Sequence, residues 1–187
     1  MAQRIAGGEQ YEAFLLGGDV DGASVTVDGR AYRSVVSFIR PGDTTPYTAG
    51  DVIGTSSSAI HTLSGVGPSG GTVLIQDVSM FIGNTSVPAG MGAFRLHLYR
   101  ASPSGVADNA VFNLTSGEAS DYVGYANLPT PQDLGSMLYS QAEYIGRALQ
   151  LASGQTSIFA EIETRGAYTP ASGTTYEVRL NALELGL

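Results

Sequence analysis

From Val25 onward the chain alternates apolar and polar positions with the two-residue period of a β-strand. Within residues 175–185, Tyr176, Val178, Leu180 and Ala182 share one face, and Glu177, Arg179 and Asn181 the other. Residues 157–163 set Ile158, Ala160 and Ile162 against Phe159, Glu161 and Glu163, which predicts a solvated carboxylate face with Arg179 as a cross-strand partner. Further strands are predicted at 59–63, 72–82, 93–100, 122–128 and 145–151. Asp28-Gly29, between two β-rich runs, predicts a hairpin turn. One dry face and one wet face per strand implies antiparallel rather than parallel sheets.

Turn-forming clusters at 65–71, 84–92, 101–107, 129–133 and 169–173 separate these runs. Eight to ten short strands at this spacing predict an all-β fold, an antiparallel sandwich of jelly-roll type, over residues 25–187. Leu134, Leu138, Ile145 and Leu149 also fit a helical period, so a short helix before Tyr144 stays open. Residues 1–24 lack a period. Tyr11, Phe14, Leu15 and Leu16 form an apolar knot between glycine pairs, and the segment reads as an arm that docks on something else.

The 25 glycines fit a turn-rich fold, and the 14% of charged residues is well below the usual level of about 25%. All nine bases are arginine, against 17 acids, giving a net charge of −8. The arginines form no basic run, which argues against a nucleic-acid partner. MAQRIAGGEQ lacks the apolar core of a signal peptide and no stretch approaches a membrane span, so the expectation is a chain made in the cytoplasm with no membrane partner. Without cysteine there is no thiolate metal site.

Candidate chemistry is sparse. Gly65-Val-Gly-Pro-Ser-Gly70 matches GxGxxG, but a strand follows it where a nucleotide site needs a helix, so it reads as a hairpin loop. Asp19-Val-Asp21-Gly22 opens like a calcium loop without the closing ligands. His61 and His97 stand one to a strand, as packed histidines do, and no nucleophile, base and orienting acid follow a recognisable spacing. No catalytic residue and no cofactor is expected.

The segment 40–54, RPGDTTPYTAGDVIG, resembles a pattern in small virion proteins of tailed bacteriophages. FRLHLYRASP, ADNAVFNL, LPTPQDLGSMLYS and YTPASGTTYEVRL look similar to the same family. The resemblance implies a virion protein of the head-decoration or cement type, binding the major capsid protein and its own copies as a trimer. It transfers no functional residue. From the residues themselves, Tyr11, Phe14, Leu15 and Leu16 of the arm, Tyr47 of the loop, and Arg30, Arg33, Arg40, Arg95 and Arg100 are the interface candidates, since arginine pairs with carboxylates bidentately. A different class remains open: a receptor- or glycan-binding module of a tail fibre or spike, with Tyr47, Tyr122, Tyr125 and Tyr168 stacking on sugars.

Overall fold

A computed structural model describes residues 26–186, and within them there are strands and turns but no α-helix. The strands are β1 (Thr26–Ile39), β2 (Val52–Ile53), β3 (His61–Leu63), β4 (Thr72–Ile82), β5 (Phe94–Tyr99), β6 (Tyr122–Leu128), β7 (Gln132–Asp133), β8 (Leu138–Ala142), β9 (Arg147–Gln150), β10 (Ile158–Thr164) and β11 (Thr175–Gly186). The helical alternative near Tyr144 gives way to β8 and β9. Both pair with β4, and the Ile145 amide still donates to Gln76 O at 2.9 Å, so they are one strand interrupted by a bulge at 143–146. Similarly, β2 and β3 both pair with β10 around an excursion at 54–60.

Two antiparallel sheets result. One runs β1-β11-β4-β8-β7, with β9 also on β4; the other runs β2-β10-β5-β6, with β3 also on β10. With the interrupted strands joined, the pairs nest: first strand with last (β1·β11), second with next to last (β2/β3·β10), then β4·β8/β9, and β5·β6 innermost. Rolling that nested antiparallel ribbon so that β11 meets β4 and β10 meets β5 gives a jelly roll.

The Asp28-Gly29 hairpin does not form. Val27 pairs with Leu185 and Ala31 with Leu183, so the intervening residues bulge out of one continuous strand, with Gly29 at φ 68°. The 12-residue β11 offers a longer ladder than the three residues 25–27 could provide locally. The GxGxxG stretch is a crossover between the sheets rather than a hairpin, since β3 lies in one sheet and β4 in the other.

The core lies between the sheets. Ile75, Val78, Met80, Ile82, Val178 and Leu180 meet Ile53, Leu63, Leu96, Leu98, Ile158 and Ile162, all essentially inaccessible to water. Each such side chain contributes about 1.5–3 kcal/mol by burial. An aromatic cluster closes one end: Phe38 stacks on His61 at 3.9 Å and Tyr176 at 5.3 Å, and Tyr168 packs against Tyr47 at 5.2 Å.

Candidate functional site

Segment 40–54 leaves β1 at its buried end. Tyr47 turns inward, its backbone bridged to Tyr168 by a 2.9 Å hydrogen bond. The chain then reverses through 48–51, with Gly50 at φ 102°, a conformation that favours glycine. Asp51 closes the turn by accepting from the Thr48 amide at 2.5 Å and its hydroxyl at 2.9 Å. The TTPYTAGDV phrase therefore folds as an anchor, a reversal and a cap, with the anchor tied to Tyr168.

Asp108, on the β5–β6 connection, is the hub of this element. Its carboxylate accepts from Tyr47 Oη at 2.5 Å and the Gly54 amide at 2.9 Å, and pairs with Arg40 Nη2 at 3.3 Å. Arg40 also donates to Asp43 and to Tyr47 Oη at 3.2 Å. Burial pulls the Arg40 pKa down, but the hydrogen bonds outweigh it and hold the group charged, while burial and Asp108 push the Tyr47 phenol far above its usual range. Arg40 and Tyr47 were expected to face a partner. At 2% and 1% exposure they lie inside the protein, with their polar atoms taken by internal partners. A polar concavity of about 320 Å³ beside them is lined by Pro41, Asp43, Thr45, Ser56, Asp108 and Asn109, but its Asp108 carboxylate is already engaged by Tyr47, Gly54 and Arg40.

A second polar cluster lies on the outward side of the β10 sheet. Glu161 and Glu163, expected on a solvated face, are 3% and 5% exposed. The long β5–β6 connection covers them. Its residues bond along the β2 edge (Val52 N to Ala110 O, 2.8 Å; Phe112 N to Gly50 O, 2.8 Å), and Phe112 stacks on His97 at 3.8 Å. Glu118 secures the same connection: hydrogen bonds from Ser104 and Thr115 draw its carboxyl down to about 2. Arg179, the expected partner of the pair, belongs to the other sheet, where it binds Glu177 at 2.5 Å and lies over Phe81 at 4.1 Å.

Beneath the cover, Tyr99 donates to Glu161 at 2.8 Å, and burial raises the Glu161 pKa against that bond. Glu163 receives Arg165 Nη1 at 2.6 Å and His97 Nε2 at 2.9 Å, while His97 Nδ1 meets Tyr122 Oη at 2.9 Å. Burial pushes Glu163 up, but the His97 and Arg165 bonds outweigh it and keep it ionised. Burial lowers His97, which stays neutral. A neutral ring in this setting donates from Nε2–H to the carboxylate and accepts the Tyr122 proton at Nδ1. His61 is also lowered by burial, and its Nε2–H donates to Ile53 O at 3.0 Å. With both His97 nitrogens occupied, its ring face covered by Phe112, and burial raising the Tyr122 pKa, the cluster is built to hold a shape rather than to move a proton to a ligand. Among the described residues, no group of three His, Asp or Glu could hold a metal ion.

The other candidates divide. Arg95 sits at the open end of the Glu163 cluster, and Arg100 reaches the Ser120 carbonyl on the surface. Arg30 and Arg33 are exposed on β1. Tyr168 is buried, Tyr122 half-buried and Tyr125 41% exposed. Tyr11, Phe14, Leu15 and Leu16 lie outside the described residues.

Sequence reasoning did not single out the outward side of the β11 sheet. There Val35 and Ile39 on β1 are 48% and 61% exposed, and the half-buried Phe81 and Tyr139 pack on each other on β4 and β8, across the β11 row. Part of its polar layer is bonded within the face: Glu177 pairs with Arg179, and Asn181 donates to Asp77 at 2.8 Å, while Arg33 stands exposed beside Val35. Further apolar side chains, Leu134, Met137 and Tyr144, are exposed along its β7–β9 border. The odd-numbered apolar positions of β1, on the face opposite Phe38, carried the signal.

No protein-family model matches the chain, and no curated protein matches it. Among solved structures it is similar to one of Cocksfoot mottle virus, at 11% identity and TM-score 0.31, covering 86% of this chain and 95% of that one. A native virion of Kashmir bee virus aligns at 14% identity and TM-score 0.32, over 100% and 84% of the two chains. Israeli acute paralysis virus aligns at 15% identity and TM-score 0.28, over 84% and 71%. At this distance the jelly-roll assignment rests on the strand order itself.

Proposed function

We propose that this chain is a tailed-phage virion protein of the head-decoration or cement type, which binds the major capsid protein and its own copies as a trimer. The observation that carries the reading is the outward side of the β11 sheet: low in net charge, and presenting Val35 and Ile39 to solvent on the edge strand β1, whose outer side has no paired strand among the described residues. The buried members of the polar clusters, by contrast, are occupied with holding the fold. Attachment by area, rather than chemistry, is the work left to such a surface. The phage-like phrases support the same reading, and the apolar knot Tyr11 to Leu16 precedes β1, where it can add contact on docking. On a repeating lattice, weak contacts multiply through avidity.

The glycan-binding alternative loses two of its four stacking rings, because Tyr47 and Tyr168 are buried. Electron microscopy of particles assembled without this protein tests the proposal. Heads missing a surface layer and losing integrity at a lower temperature are expected. Heads of unchanged surface and heat resistance overturn it.

A further inference from the structure

We infer that the open end of the Glu163 cluster is a socket for a carboxylate and an aromatic ring offered by a second copy of this chain, and that Glu143 and Tyr144 supply them. The inference rests on the homo-oligomer reading above and names the contact.

The socket carries uncompensated charge in an otherwise acidic protein. Glu163 spends one oxygen on Arg165 at 2.6 Å and the other on His97 at 2.9 Å, leaving Arg95 Nη1 at 3.9 Å. Arg95 Nε is buried without a hydrogen-bond partner, and its guanidinium lies over the Tyr125 ring at 4.6 Å. The nearby Asp51 is turned into its own loop. Two guanidiniums therefore share one carboxylate and a neutral imidazole, with the Arg165 side chain 42% and the Arg95 side chain 31% exposed. Arginine and tyrosine around a desolvated centre make up the composition of an interface hot spot.

The complementary element is on the same chain. The bulge between β8 and β9 holds Tyr144 at φ 53°, a strained conformation for a non-glycine residue, and leaves its ring 91% exposed beside the exposed Glu143. An incoming carboxylate can pair with the exposed parts of Arg95 and Arg165, and the Tyr144 ring can stack on the more open guanidinium. Knob and socket lie on different sheets, so the contact joins unlike surfaces of two copies, the arrangement that yields a ring where the rotation between copies closes and a filament where it does not.

Light scattering and sedimentation of the purified full-length chain test this, with thermal melts confirming the fold of each variant. Arg165→Glu and Glu143→Arg should each weaken self-association by about tenfold or more, the charge-exchanged double variant should recover it, and Tyr144→Ala should weaken it with an unchanged melt. Wild-type association in the single variants, no recovery in the double, or a wild-type chain monomeric at every concentration overturns the inference. The two proposals fail separately: a chain that coats heads while Arg165→Glu associates normally removes only the socket, and one that associates through the socket but leaves heads bare removes only the decoration role.

Discussion

On the β10 sheet, the outward row that includes His97, Glu161 and Glu163 lies under the β5–β6 connection and is almost dry; on the β11 sheet, the outward row that includes Val35 and Ile39 faces water. Both rows come from strands that alternate in the same way. The covered face is polar and the open face is partly apolar, the reverse of what alternation alone predicts. A buried polar layer is stable only if its members satisfy one another, so its residues answer to the fold. An open apolar row has no such internal demand and is available for contact.

The largest effect expected from breaking this contrast is on the covered side. Asp108→Ala removes the carboxylate that neutralises a fully buried guanidinium, and a loss of about 3–5 kcal/mol is expected in urea unfolding. A change below about 1 kcal/mol would show that Asp43 alone suffices for Arg40. Glu163→Ala should cost about 2 kcal/mol, less than Asp108→Ala because solvent screens the half-open Arg165.

The pH dependence follows from the two histidines. Burial lowers both, so folded His61 and His97 stay neutral, while the unfolded chain takes up their protons below about 6.5. Stability present above that pH is lost as the pH falls from about 6.5 toward the folded pKa values. Glu161 acts in the opposite sense, because its raised pKa contributes stability below its ordinary value that is lost as the pH rises through the folded one. The melting temperature should drop between pH 7.5 and 5.5, and His97→Gln should flatten that slope. A wild-type melting temperature that rises toward pH 5.5, with the rise abolished by His97→Gln, would mean that the imidazole is charged inside.

On the open side the expected stability change is the smallest. Val35→Thr and Ile39→Thr keep the β-branch and should shift unfolding by only about 0.5 kcal/mol. If the open row is an attachment surface, the same substitutions weaken binding to heads. A large loss of stability with full binding would reverse the roles of the two faces.

The strands themselves were legible because a period of two is a local property: Tyr176, Val178 and Leu180 declare their face without reference to the rest of the chain. What covers a face is not local. Glu161 and Glu163 read as wet because their cover, around Phe112, is a distant loop without a pattern of its own. Arg40 read as an interface donor because its buried carboxylate partner, Asp108, lies 68 residues away, although Asp43 is close in sequence. Asp28-Gly29 read as a turn because its true partner, β11, is at the other end of the chain. β3 and β9 answer to the predicted strands at 59–63 and 145–151, but their continuity with β2 and β8 is not visible locally: an interruption hides what only the shared neighbour, β10 or β4, reveals.

The most direct test is a cryo-electron microscopy map of heads decorated with this protein. It should place the Val35–Ile39 face of the β11 sheet against the major capsid protein. A map with the covered face of the β10 sheet toward the shell and Val35 and Ile39 in solvent, or heads with no added density, would contradict the account.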